Sequence, residues 1–292
     1  MMFSYENCTL CPRKCGVNRT KGELGFCKMP AKPILGKAML HFGEEPVISG
    51  KNGAGTVFFS GCTLQCKFCQ NFDISSGGFG KSTEKLRSIF ETLVNSGAEC
   101  LDLVTPTQFL PDIVQALTPK LPIPVVYNCG GFERVETIRK LEGLVDVYMP
   151  DLKYADDTLA KQFSNASYYF ETACNAILEM YRQTGPYVIE NGRMKRGVLI
   201  RHLVLPNCLE NSLRVIEWVA ETFPKNSVLF SLMSQYVPMN GISAPLNRTL
   251  TQKEYDGAVS WLEFCGLENG YTQEYSSATT KLLPKFDLEG II

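Results

Sequence analysis

The sequence predicts an α/β fold, a partial or complete β/α barrel, and three observations predict it. From about residue 56 onward short β-rich runs alternate with segments whose apolar residues recur at helical spacing. Repeated strand–helix alternation calls for a parallel sheet with right-handed crossovers. Polar, Gly- and Pro-containing sequence recurs after successive strand runs, where a barrel gathers its active site. An open doubly wound sheet is the runner-up, because it too binds ligands at strand ends.

The strand runs expected in order are 56–60, 101–105, 125–128, 145–151, 198–205, 228–233 and 271–275. Each is rich in β-branched or aromatic residues. Between them the helical pattern falls at 83–95, 110–117, 134–141, 173–182, 213–222 and 252–264. The first carries Leu86, Ile89, Phe90, Leu93 and Val94 at helical spacing, with Ser82 before it and Gly97 after it. Thr251 with Glu254 three residues on has capping-box spacing. Residues 1–50 do not join the alternation and read as a cysteine-rich extension, leaving 51–292 for the barrel.

Lysine and arginine total 29 against 30 aspartate and glutamate among 292 residues. No long run of either sign appears, so the strong basic footprint of a nucleic-acid binder is missing. The N-terminal stretch has no apolar core of a signal sequence, and the longest apolar runs are short for a membrane span. A cytoplasmic protein without nucleic-acid or membrane partners is expected. Twelve cysteines are many for a reducing compartment, where clustered thiols bind metal or do redox chemistry. Cys100, Cys129, Cys174, Cys208 and Cys265 are scattered and read as small buried apolar residues.

The stretch "GCTLQCKFCQN" places Cys62, Cys66 and Cys69 just after the first strand run. The spacing C-x3-C-x2-C suits a loop wrapped round one corner of an iron–sulfur cubane, leaving one iron open to an exogenous ligand. A zinc site would need a fourth ligand from elsewhere, and reduced structural thiols are the remaining alternative. Phe68 offers an aromatic face for a planar base.

These residues resemble the signature of the radical S-adenosylmethionine (SAM) superfamily. The resemblance implies a [4Fe–4S] cluster on the three cysteines, SAM on its open iron, and a 5′-deoxyadenosyl radical for hydrogen abstraction. It also implies a partial (β/α)6 TIM-type barrel of the radical SAM type. "NCGG" lies where that superfamily has its SAM-binding turn, implicating Asn128, Gly130 and Gly131; Cys129 stands where a threonine or other small residue is expected. "PDLK" resembles the Asp-x-Lys motif of glycyl-radical-enzyme activases, implicating Asp151 and Lys153. "CPRKCGVNRTKGELGFC", "LVTPTQF", "GVLIRHLVLP" and "SLMSQY" extend the likeness to the branch of iron–sulfur proteins related to pyruvate formate-lyase activating enzyme. A reductant such as flavodoxin or ferredoxin, and a glycyl radical enzyme as partner, are implied in turn. Modification of a small molecule or another polypeptide is the alternative within the superfamily; an iron–sulfur redox or metal-binding protein without SAM chemistry is the alternative outside it.

Arg201 and His202 are neighbours on one strand run, so only one side chain can face the lumen; either is a candidate for contact with cofactor or substrate. His41 lies outside the barrel pattern, and no catalytic role is expected of it. Cys8, Cys11, Cys15 and Cys27 supply four soft ligands within twenty residues, enough for a structural zinc or an auxiliary iron–sulfur cluster.

Overall fold

The computed structural model describes residues 3–239, 241–279 and 284–292. Among the described residues ten strands run in order: β1 Ile34–His41, β2 Ala54–Phe59, β3 Lys81–Ser82, β4 Leu101–Val104, β5 Val125–Cys129, β6 Val147–Pro150, β7 Val188–Glu190, β8 Arg193–Leu203, β9 Leu229–Met233 and β10 Gly270–Thr272. The helices are α1 Pro46–Ser49, α2 Phe72–Ser75, α3 Leu86–Asn95, α4 Leu110–Ala116, α5 Val135–Arg139, α6 Asp157–Ser164, α7 Tyr169–Thr184, α8 Leu209–Thr222 and α9 Gln252–Phe264. No helix among the described residues is long and apolar enough to cross a membrane.

Parallel pairing runs unbroken from β2 through β4, β5, β6, β8 and β9 to β10. Parallel neighbours require crossovers, which the intervening helices supply. Six strands are each followed by helix before the next parallel strand, and the short β10 closes the series. On the other side β1 pairs antiparallel with β2, and β3 with β1. Among the described residues β10 and β3 do not pair with each other, so the barrel is partial.

Period-two alternation sorts the strand residues into two environments. Tyr127, Tyr148, Val198, Ile200 and Phe230 pack outward among the helices. Ala54, Val126, Val147, Met149, Leu199 and Leu229 form a separate cluster in the lumen, capped by Val47 and Ile48 of α1. Burial on both faces explains why these strands read as near-continuous apolar runs.

The structure divides residues 1–50 differently from the sequence expectation. Ile34–His41 is a strand of the sheet, and Pro46–Ser49 plugs the lumen, so the appended cysteine-rich part ends before β1. α3 starts at Leu86 rather than 83: Thr83 instead uses its hydroxyl to accept from Lys85 N and to donate to the Ile292 carbonyl. β8 starts at Arg193 because it forms a hairpin with β7.

Candidate active site

The loop after β2 is held by its neighbours on every side. Gly61 adopts φ +79°, and a Cβ there would strike Met29, so the turn needs glycine. The buried Gln108 carboxamide donates to the carbonyls of Ser60 (2.9 Å), Gly61 (3.0 Å) and Thr105 (2.8 Å). Arg13 donates to the Thr63, Asn165 and Ser164 carbonyls at 2.9, 2.5 and 3.2 Å, and Gln65 Nε2 donates to the Phe26 carbonyl at 2.8 Å. The N-terminal segment thus clamps the cysteine loop to the end of α6.

Each loop sulfur receives a hydrogen bond. Leu64 N–H lies 3.4 Å from Cys62 Sγ, Ser164 Oγ 3.0 Å from Cys66 Sγ, and Ser75 Oγ 3.2 Å from Cys69 Sγ. Donors aimed at sulfur suit thiolate ligands, whose charge they stabilise. Burial pushes the Cys66 thiol up to about 12, with Lys153 opposing, and burial likewise raises Cys69. An ionised thiol here therefore requires a positive partner.

All three cysteines open on one cavity of about 460 Å³, within the size range of small-molecule sites. Phe68, Asn128, Gly130, Asp151, Lys153 and Arg201 line it as well. Gly130 and Gly131 form a turn with no room for side chains. A Cβ on Gly130 would lie 2.7 Å from Leu64 Cδ1, and one on Gly131, at φ +76°, would strike the Asp151 carbonyl.

The register of β6 and β8 creates the charged floor. An isolated bridge pairs Asp151 with Arg201, and Arg201 Nε donates to Asp151 Oδ1 at 3.0 Å. The same guanidinium donates to Glu44 (2.9 Å) and to Asn128 Oδ1 (2.6 Å), while Lys153 Nζ donates to Asp151 Oδ2 at 2.5 Å. Burial opposes ionisation of Asp151, but Lys153 and Arg201 outweigh it and hold the carboxyl below its usual range. Burial pushes Glu44 up, helped by Asp102, and pushes Asp102 up against the pull of Arg201. The floor thus combines fixed cations with carboxyls that hold protons more tightly than usual.

His202 does not reach this cavity. Its ring is fully buried outside the lumen, with Nδ1 2.6 Å from the Leu152 carbonyl and Nε2 2.9 Å from Ser212 Oγ. The candidate role for His202 is therefore corrected to packing, and Arg201 takes the inward position. Cys129 borders the cavity but belongs to the apolar layer beneath the helices. His41, expected outside the site, lies on the cavity's margin with its ring 6.0 Å from Phe58. Sequence reasoning missed Glu44 and Asp102. Asp102 is a charge inside the apolar run "LDLVT", a signal of a buried polar role.

Cys8, Cys11, Cys15 and Cys27 also come together, around a much smaller cavity of about 10 Å³. All twelve cysteines are free thiols. Among the described residues no three His, Cys, Asp or Glu side chains converge closely enough, as they stand, to hold a single metal ion.

No family model matches the chain. An uncharacterised protein of Methanocaldococcus jannaschii is 28% identical over 282 residues, covering 90% of this chain and 76% of its own. The crystal structure of HydG, a maturase of the [FeFe]-hydrogenase, matches with a TM-score of 0.50 at 13% identity, covering 78% of this chain and 54% of that one. At that identity the likeness shows a shared fold, an α/β partial barrel around a parallel sheet. A domain of pyruvate-formate lyase-activating enzyme from Bacteroides vulgatus matches at 15% identity and a TM-score of 0.38, covering 52% of this chain and 82% of that one. At that score it carries no argument.

Proposed function

We propose that the chain is a radical SAM enzyme. The observation that carries this reading is the convergence of three sulfur-bonded cysteines and a charged strand-end floor on one cavity of about 460 Å³. Cys62, Cys66 and Cys69 would hold a [4Fe–4S] cluster, with Phe68, Asn128, Gly130, Gly131, Asp151 and Lys153 placing SAM beside it. Bound there and reduced by an external donor, such a cluster would supply the one electron needed for reductive cleavage of the SAM sulfonium.

The chain's own residues prepare that site. The bare Gly130–Gly131 turn lets backbone polar groups approach a charged ligand closely. Lys153 offers an ammonium to a carboxylate, and Asp151, anchored by Arg201, fixes its position. The apolar cluster under the floor keeps bulk water from entering beneath the barrel.

The finer reading is activation of a glycyl radical enzyme, supported by the Asp151-Leu152-Lys153 motif, with a flavodoxin or ferredoxin as cytoplasmic electron donor. The test is anaerobic: reconstitute with iron and sulfide, reduce with dithionite, add SAM and quantify 5′-deoxyadenosine beside Cys66→Ala. Product in the parent and none in the variant is expected; a cluster that assembles without cleavage overturns the reading. Adding a candidate glycyl radical enzyme and seeking its radical signal tests the activase role separately.

A further inference from the structure

The radical SAM reading leaves the first four cysteines without a use. We propose that Cys8, Cys11, Cys15 and Cys27 form a second metal centre, a thiophilic metal held by four thiolates and distinct from the loop after β2.

The backbone presents each thiol to one small cavity. Lys14 N–H bonds the Cys11 carbonyl (3.1 Å) and Lys28 N–H the Gly25 carbonyl (2.9 Å), so Cys11 and Cys27 each ride on a tight turn. Lys14 and Lys28 end those turns at φ +43° and +57°. Cys8 is tied by paired backbone bonds to Val17 and Gly16, both 3.0 Å. Phe26 N–H points at Cys15 Sγ at 3.3 Å, and a Cβ on Gly25 would sit 2.9 Å from the same sulfur. All four cysteines line the one cavity, so the proposal requires their side chains to draw closer together on the metal than they stand here.

Charge supplies an independent reason. Arg19 is 2% exposed, and its guanidinium donates to the carbonyls of Met29, Gln108 and Pro30 and, at 3.9 Å, to Cys8 Sγ. The nearby Asp112 carboxylate is engaged by the Tyr5 hydroxyl. Arg13, stacked 3.9 Å over the Phe26 ring, donates to carbonyls. No carboxylate lies within hydrogen-bond range of Arg19 among the described residues, so negative charge on the Cys8 sulfur that it already faces is favoured. Four thiolates around a dication, or around a cluster core of the same charge, carry a net double negative charge beside Arg19. Binding is redox-neutral: the thiol protons leave to solvent as metal–sulfur bonds form. Among residues 3–30 the buried apolar side chains are Cys8, Leu10 and Met29, too few to fold such a segment by burial.

The experiment removes the other site first. A Cys62→Ala, Cys66→Ala, Cys69→Ala protein is purified from zinc-supplemented cells and, in parallel, reconstituted anaerobically with iron and sulfide. About one equivalent of zinc, or iron with matching acid-labile sulfide, is expected, the two arms naming the metal. Adding Cys15→Ser and Cys27→Ser should remove it. Less than about a tenth of an equivalent in both arms, or content unchanged by the serine pair, overturns the proposal. Thiol reactivity of the parent gives a reading that needs no variant to fold. Cys15 is exposed, so ligation protects it from a thiol reagent until a chelator is added; immediate reaction overturns the proposal. Neither readout depends on SAM cleavage, so this inference and the radical SAM reading can fail separately.

Discussion

Arg201 and His202 are adjacent on β8, and the pleat sends one into the lumen and the other under α8. Their adjacency and opposition were legible in the sequence; which of them faces inward was not, because that depends on the register that sets Arg201 beside Asp151. Glu44 was illegible for a related reason, since its partner lies 157 positions away. The buried imidazole has a measurable signature. Burial lowers the His202 pKa to about 4, with the Leu152 carbonyl opposing. Between the unfolded value of about 6.5 and that figure, the unfolded chain binds a proton the folded chain refuses. Stability is therefore present above pH 6.5 and falls as the pH drops toward 4, by at most about 1.4 kcal/mol per pH unit from this group. His202→Asn should cost about 1–3 kcal/mol at pH 7.5, through lost hydrogen bonds, and distinctly less at pH 5. Urea unfolding at the two pH values checks this, and parallel shifts would sink it. Under the proposed function, SAM cleavage per folded molecule should be unchanged, because the ring does not touch the cavity.

At the scale of elements, local signals were readable where local chemistry sets the boundary. The Thr251 and Glu254 spacing marks a complete capping box at α9, with Thr251 Oγ1 accepting from Glu254 N–H and Glu254 accepting from Thr251 N–H. The Ser82 signal misled because residues 81–82 pair with β1 and the chain turns again before α3. The β7–β8 hairpin carried a signal that was passed over: Asn191-Gly192, both at positive φ, is a strong two-residue hairpin turn. Glu254 also accepts from Arg248 at 2.8 Å, and that bond first, with the Thr251 and Asn207 N–H groups, holds its carboxyl far below the usual range against burial. A depressed carboxyl contributes stability that is complete above its unfolded pKa, near 4.5, and is lost as the pH falls further. Glu254→Gln should cost about 1–2 kcal/mol at pH 7, with the deficit shrinking below pH 4. Thermal unfolding at pH 7 and pH 3 provides the comparison.

Across the whole molecule the lumen is built in layers: an apolar base under α1, a charged floor on Arg201, and the cysteine loop at the top. The parallel strand–helix alternation from β2 onward and the position of the cysteine loop after β2 followed from the alternation of patterns. The plug did not, because α1 is only four residues long and acts through long-range contacts. Ile48, 2% exposed, sits at the centre of that plug, and Ile48→Ala should cost about 2–5 kcal/mol in urea unfolding. A loss below about 1 kcal/mol would show that the base does not depend on α1. Arg13 binds the cysteine-rich segment to the loop after β2 through the Thr63 carbonyl and stacks over Phe26, so its charge sits between the two sets of cysteines. A fixed positive charge favours whichever state of a redox group carries the extra electron. Under the proposed function, a cluster on Cys62, Cys66 and Cys69 would therefore have its reduced state favoured by Arg13, so the electron affinity of the barrel site would be partly written in the first fifteen residues.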